Sequence, residues 1–190
     1  MSTISVVICT RNRAKFLRDT LASLAEVRIP EKERVELIIV DNGSTDNTQD
    51  VVKQSVLAAF HSVRYIEEKR PGLSHARNTA VAAAEGDIVL FTDDDVRVPR
   101  DWISGMVEPI RSGRADAVAG GVELAPYLRR PWQVDNPWLT SPLASTRALD
   151  PEQPERMVGA NMAITREVLE HVPSFDPNLG AGSEIGTGEE

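Results

Sequence analysis

The sequence contains one cysteine, Cys9, in 190 residues, which excludes an internal disulfide and any cysteine-rich metal site. Its three histidines, His61, His75 and His171, stand at no metal-ligand spacing. Positive charge is also short: 21 Lys and Arg against 29 Asp and Glu leave a formal net charge of -8. That balance argues against a nucleic-acid partner, because phosphate-backbone affinity needs a clustered basic surface. No apolar run approaches the length of a membrane span, so no transmembrane segment is expected. Met1 to Ile8 lacks the basic and apolar regions of a signal peptide. Together these absences point to a cytoplasmic protein, at most one lying against the inner face of the membrane. The predicted strand around Cys9 makes it a small core residue rather than a reactive thiol.

What is present is organised around Ile88, Val89, Leu90, Phe91, Thr92, Asp93, Asp94, Asp95. The apolar run predicts a strand buried on both faces that ends in an acidic turn. Adjacent carboxylates about 5 Å apart repel by roughly 3 kcal/mol at an effective dielectric of about 20, so three in a row invite a counter-charge. A divalent cation is the natural candidate. Asp93 and Asp95 share a face of an extended segment and can converge on one ion, with Asp94 pointing elsewhere. The alternative is a set of solvated loop acids or a cap for the next helix.

Around this stretch the chain alternates strand and helix. Ile4 to Cys9 reads as a strand ending in Thr10, Arg11, Asn12, Arg13, and Phe16, Leu17, Leu21 and Leu24 recur at helical spacing. Val35 to Val40 is a second strand, closed by Asp41 and a turn at Gly43. Ser44 or Thr45 is expected to cap a helix from Asp46 to Phe60. Val63 to Ile66 is a short third strand, and an alanine-rich helix over Ser74 to Ala84 carries His75, Arg77 and Asn78. Such alternation, with connections too long for hairpins, predicts parallel strands in a doubly wound α/β sandwich. Ligands of such sheets bind beyond the carboxyl ends of the strands, where Thr10, Arg11, Asp41 and the acidic turn should gather.

Beyond Pro99 a helix over Asp101 to Ile110, with Trp102, Ile103, Met106 and Val107 inward, precedes a strand over Ala117 to Val122. Half of the twelve prolines then fall between Pro126 and Pro154, with Trp132 and Trp138. This predicts either an irregular wrap-around segment or an acceptor loop. A strand within Met157 to Thr165 and a short helix from Arg166 to Val172 follow. The last residues are glycine-rich and acidic with no closing helix, which suggests a fragment of a longer protein.

Six segments, taken in order, resemble the family 2 glycosyltransferases of GT-A fold: Ser5-Val-Val-Ile-Cys-Thr-Arg-Asn-Arg, Val40-Asp-Asn-Gly-Ser-Thr-Asp, Gly72-Leu-Ser-His-Ala-Arg-Asn, Phe91-Thr-Asp-Asp-Asp, Gly159-Ala-Asn-Met and Gly186-Thr-Gly-Glu-Glu. The resemblance implies a nucleotide-binding α/β/α sandwich with a mainly parallel sheet, truncated at the C-terminus. Residues 1–98 would form the nucleotide-binding half and 99–190 part of an acceptor-binding half. The implied partners are a nucleotide-sugar donor, UDP-linked by preference, and a carbohydrate or lipid-linked acceptor. The implied cofactor is Mn²⁺ or Mg²⁺.

By the same resemblance, Thr10 and Arg11 would line the nucleotide pocket. Asp41 would accept from the base edge, with an Asx-turn at Gly43 as its alternative role. Arg77 would approach base or phosphates, unless it is a surface arginine. Asp93 and Asp94 would lie near the nucleotide, and Asp95 with Asp93 would bind the metal that stabilises the departing diphosphate. Glu190, beside Glu189, would be the base of an inverting displacement. Asn161 would face sugar or acceptor, or bond backbone at a strand end. His75 would stand near the nucleotide.

Three other readings remain at this level. A nucleotidyltransferase would show a glycine-rich loop after the first strand, and Thr10 to Arg13 contains no glycine. A truncated, non-catalytic nucleotide-binding module fits the abrupt ending. A phospho-acceptor signalling domain would place a lysine late in the sheet, whereas Lys69 is the last lysine of the chain.

Overall fold

A computed structural model of the chain describes residues 3–125, 128, 159–172 and 174–183. The segment around Trp132 and Trp138, Met157, Gly186, Glu189 and Glu190 lie outside the described residues.

Five stretches of alternating or continuous apolar residues become β1 (Thr3–Thr10), β2 (Arg34–Asp41), β3 (Ser62–Glu67), β4 (Ile88–Asp93) and β6 (Asn161–Thr165), and the short β5 (Ala117–Ala119) completes the sheet. The described strands form one sheet in the order β3-β2-β1-β4-β6-β5. The first four are mutually parallel, and β6 runs antiparallel to both β4 and β5. The expected parallel core is therefore present, with an antiparallel edge.

Alternation of side chains divides the core into two layers. Val6 and Ile8 of β1, Leu37 and Ile39 of β2 and Leu90 of β4 face one side. There they meet Leu17, Leu21 and Leu24 of α1 (Ala14–Leu24), Val51 and Val52 of α2 (Thr48–Gln54), and Ile103, Met106 and Val107 of α4 (Trp102–Arg111). Val7, Ile38, Val40, Val89 and Phe91 face the other side, against Ala76 and Ala80 of α3 (Leu73–Ala83). Val168 and Leu169 of the short α5 (Arg166–His171) pack on that second layer. Alanine on the inner face of α3 lets this helix lie close to the sheet.

Local expectations are corrected in four places. Phe16 is 48% exposed rather than inward, and the Arg13 guanidinium lies over its ring at 4.8 Å. The second helix ends at Gln54, not Phe60: Ser55 turns extended and its hydroxyl donates back to the Val51 carbonyl (2.7 Å). Leu57 and Phe60 stay buried beyond the helix end. Neither Ser44 nor Thr45 caps this helix. The N-cap position is Asn47, and the preceding Asp46 accepts from the Thr48 amide (3.1 Å) and hydroxyl (2.5 Å) and also from the Ala14 amide at the start of α1 (3.1 Å). The Thr48 hydroxyl is the main reason the Asp46 carboxyl sits below its ordinary range. The fifth strand stops at Ala119, before Gly120 and Gly121.

Gly86 marks the tightest approach between backbones. A Cβ there would lie 2.5 Å from the Ser5 amide nitrogen and 2.8 Å from the Ile4 carbonyl carbon, atoms fixed by β1. Gly105, inside α4, has open space at the same position. Gly86→Ala should therefore cost about 1–3 kcal/mol through overpacking, whereas Gly105→Ala should gain about 0.5–1 kcal/mol from helix propensity. Urea unfolding of the two variants beside the parent checks the opposite signs.

Candidate active site

β1 and β4 are adjacent, but β2 departs from one side of β1 and β6 from the far side of β4. The chain thus winds away in two directions from the β1/β4 pair, which leaves a crevice at the carboxyl ends of these strands. A cavity of about 380 Å³ occupies it, lined by Cys9, Thr10, Arg11 and Arg13 at the end of β1 and beyond, by Asp93, Asp94 and Asp95 at the end of β4 and beyond, and by Asn42, Leu73 and Ala76. Ala181 and Gly182 close one wall. Strand register puts Cys9 opposite Asp93 and Thr10 opposite Asp41.

The three aspartates of the acidic turn differ in environment. Asp94 is 5% exposed. Its carboxylate accepts from the Thr10 hydroxyl (2.6 Å) and from Arg13 Nε (2.7 Å). Burial pushes its carboxyl above the ordinary value, against the lowering by Thr10 and Arg13. The turn is also held through its backbone, because the fully buried Thr20 hydroxyl donates to the carbonyls of Asp94 and Val96 (2.8 and 3.0 Å). Asp95 is exposed and pairs with Arg13 Nη2 at 2.5 Å. Asp93 is half-buried on the cavity wall. The counter-charge that the aspartate run demands is thus supplied in part by Arg13.

Asp41 is 4% exposed and does not line the cavity, though the next residue, Asn42, does. Its Oδ1 accepts from the Ser44 amide (2.8 Å), the turn geometry weighed as its alternative role, and its Oδ2 accepts from the Tyr65 hydroxyl. Burial, followed by this carboxylate, pushes the Tyr65 phenol up. Arg77 is 3% exposed, so it is no surface arginine. Its guanidinium lies 5.4 Å from the Phe175 ring, and its charge reaches Cys9. Cys9 is on the cavity wall, where burial pushes its thiol up to about 12 despite Arg77. A thiol so raised stays protonated near neutrality.

Asn161 is a clamp between elements. Its Oδ1 accepts from Trp102 Nε1 and its Nδ2 donates to the Gly121 carbonyl, both at 2.9 Å. His61 sits against Arg34 and His171 bonds the Glu167 carbonyl, both at the surface. His75 is half-buried in the first turn of α3.

Several residues that shape the cavity escaped the sequence reading: Arg13, Thr20, Asn42 and Glu68. Asn42 donates to the carbonyls of Glu68 (3.1 Å) and Arg70 (2.7 Å) and accepts from the Gly72 amide (2.9 Å), which fixes the loop entering α3. Gly72 there has φ +126°, a conformation that L side chains rarely adopt. Only the position of Asn42, next to an acid at a strand end, could have signalled its role.

Glu68 is buried and accepts from Arg70 and from the Thr79 hydroxyl. The Arg70 hydrogen bond, more than Thr79, brings its carboxyl down to about 2, from an ordinary value of 4.5. Because the folded value is the lower one, this contribution is full above about pH 4.5 and is lost as pH falls toward about 2. Glu68→Gln should cost about 1–3 kcal/mol at pH 7 and flatten the loss of stability over that window. Urea titrations at pH 7, 4.5 and 3 follow both effects.

Comparison with known proteins gives this crevice a context. The family model described as "Glycosyl transferase family 2" matches residues 5–172. The succinoglycan biosynthesis protein ExoM of Rhizobium meliloti (strain 1021) is 32% identical over 119 residues, 63% of this chain and 38% of that protein. Among solved structures, glucosyl-3-phosphoglycerate synthase from Mycobacterium tuberculosis in complex with UDP is 27% identical with a TM-score of 0.63, covering 97% of this chain and 63% of that one. A mannosyltransferase from Pyrobaculum calidifontis in complex with GDP-Man and Mn²⁺ is 29% identical with a TM-score of 0.65, covering 95% and 49%. The chain spans about two fifths to two thirds of the length of these relatives. Among the described residues, no helix is long and apolar enough to cross a membrane. With the family model matching most of its length, and acids gathered at the ends of parallel strands, this chain belongs to glycosyl transferase family 2.

Proposed function

We propose that the cavity binds a nucleoside-diphosphate sugar, UDP-linked by preference, and that the chain carries the donor half of an inverting transfer to an acceptor hydroxyl. The single observation that carries this reading is the convergence of Thr10, Arg11 and all three aspartates of the acidic turn on one cavity between β1 and β4. Relatives above 25% identity solved with UDP and with GDP-Man support a nucleotide donor.

Each residue then has a task that its surroundings favour. Arg11, exposed at the rim, presents a cation to the diphosphate. Thr10 anchors Asp94, and the buried Asp94 keeps the acidic turn in place. Asp93 sits at the ribose, and Arg77 contributes positive potential from below. Asp41, one residue from the cavity, shapes the base end and is the proposed acceptor for a uracil imide.

Asp93 and Asp95 are the proposed ligands of Mn²⁺ or Mg²⁺. They fit: both line the cavity with oxygen donors of the kind these hard ions prefer. Among the described residues no group of three or more acids, histidines or cysteines forms a closed cage. Two carboxylates suit an ion that completes its shell with substrate phosphates and water. Such an ion supplies charge stabilisation for the diphosphate leaving group.

In the transfer, the acceptor oxygen forms a bond to the anomeric carbon as the bond to the diphosphate oxygen breaks on the opposite face. The acceptor proton goes to a carboxylate, for which Glu190, with Glu189 beside it, is proposed from its position in the family pattern. The acceptor is a carbohydrate or a lipid-linked carrier.

A thermal-shift panel of UDP-, GDP- and dTDP-sugars, each with and without Mn²⁺, tests the donor reading. A UDP-sugar at about 100 times its dissociation constant should add roughly 2.7 kcal/mol of stability. Asp95→Asn should remove most of the Mn²⁺-dependent part. Absence of any shift across the panel would overturn the assignment.

A further inference from the structure

Arg13 is the basic residue that the acidic turn holds by two carboxylates at once. Nε bonds Asp94 at 2.7 Å and Nη2 bonds Asp95 at 2.5 Å, while the guanidinium rests over the Phe16 ring at 4.8 Å. The two halves of this fork are unequal. Side-chain exposure is 7% for Asp94 against 47% for Asp95. The Asp94 carboxylate is also held by Thr10, and the backbone of the turn by Thr20. The hydrogen bond from Arg13 to Asp95, by contrast, is at the solvent edge, where a competing cation can reach it.

We propose that Arg13 is the resident counter-ion of the acidic turn, and that a divalent cation binding at Asp93 and Asp95 displaces its Nη2 from Asp95 while Nε stays on Asp94. The inference rests on the metal reading given above. A guanidinium and a dication on one carboxylate repel each other, so one must leave the shared oxygen atoms. The buried anchor on Asp94 and the ring beneath the guanidinium keep the released arm at the mouth of the cavity. There it faces the space assigned to the donor diphosphate, and a planar fork suits phosphate oxygens. Arg13 is thus a positioning residue: it holds the turn in shape before the ion arrives and adds a second cation to the phosphates afterwards.

The test uses the metal alone. Mn²⁺ affinity is measured by electron paramagnetic resonance titration for the parent, Arg13→Gln and Asp95→Asn, with the melting temperature recorded with and without Mn²⁺. Because the Arg13–Asp95 pair is half exposed, removing the competitor should tighten Mn²⁺ binding only about three- to fivefold in Arg13→Gln. The metal-free variant should melt lower than the parent, with the gap narrowing at saturating Mn²⁺. Asp95→Asn should weaken binding. In the unaltered protein, nitrogen-15 spectra of arginine side chains should show the Arg13 signals moving on addition of diamagnetic Mg²⁺, a readout that does not depend on a variant folding. Equal or weaker Mn²⁺ affinity in Arg13→Gln, together with unmoved Arg13 signals, overturns the displacement and leaves the metal reading standing. Failure of the parent and Arg13→Gln alike to bind Mn²⁺, alone or with UDP, overturns both.

Discussion

β1 is hydrogen-bonded along its whole length to β2 on one side and over six residues to β4 on the other, all three strands parallel. Parallel neighbours cannot be joined by hairpins, so each connection must cross a face of the sheet, and helices cover both faces as a result. From Ile4 to Ile8 the strand is closed to solvent. Its exit at Cys9 and Thr10 is therefore the first point where the chain can meet a ligand. Because β2 and β4 diverge there, the connections do not fill the space beyond it. The cavity follows from strand order, before any functional residue is considered.

Into that opening the chain delivers more negative charge than it can hold unaided. Three consecutive aspartates leave β4, and Asp41 leaves β2 one strand away. The protein answers with different devices. Burial and two donors fix Asp94, while an amide and a phenol occupy Asp41. Asp95, at the rim, is met by the far end of Arg13. Asp41 and Asp94 are thereby held in the interior, while Asp93 and Asp95 lie nearer to solvent. Hydrogen bonding and depth thus give four chemically identical groups four different surroundings.

This sorting marks where sequence reading stops. Most elements from Thr3 to Arg111 were legible, α2 with its early end apart: β1, β2 and β4 are short apolar runs, and α1 and α4 have inner faces at helical spacing. The acidic turn and its location were equally legible, since a buried strand ending in acids in an α/β pattern leads to one edge of the sheet. Periodicity does not encode which acid a given hydroxyl will reach. Thr20 and Asp94 are 74 residues apart, and Arg13 and Asp94 are 81 apart. Phe16 falls on the apolar rhythm of α1 yet is exposed, because the Arg13 guanidinium gives its ring a polar partner. Asn161 reads as a sugar contact or a backbone cap, and only the tertiary position of Trp102 shows both ends of its amide in use.

The wall formed by Ala181 and Gly182 is a tertiary feature of the same kind, and it explains why Arg77 is buried. Residues 174–183 lie across the start of α3. The Asn78 side chain bonds both the amide and the carbonyl of Phe175 (2.9 and 2.8 Å), as a neighbouring strand would. Further on, the Ser74 hydroxyl reaches the Leu179 carbonyl, and the Leu73 amide bonds the carbonyl of Ala181. These bonds hold Phe175 edge-on to Phe91 of the core, with ring centres 5.8 Å apart, and within 5.4 Å of the Arg77 guanidinium. An arginine on a helix facing an alanine-packed sheet would otherwise extend to water. Here the strap covers it, and its charge is close enough to Cys9 to oppose the rise that burial gives the thiol. The burial of Arg77 therefore depends on a segment about 100 residues further along the chain, held to α3 by the Asn78–Phe175 pair.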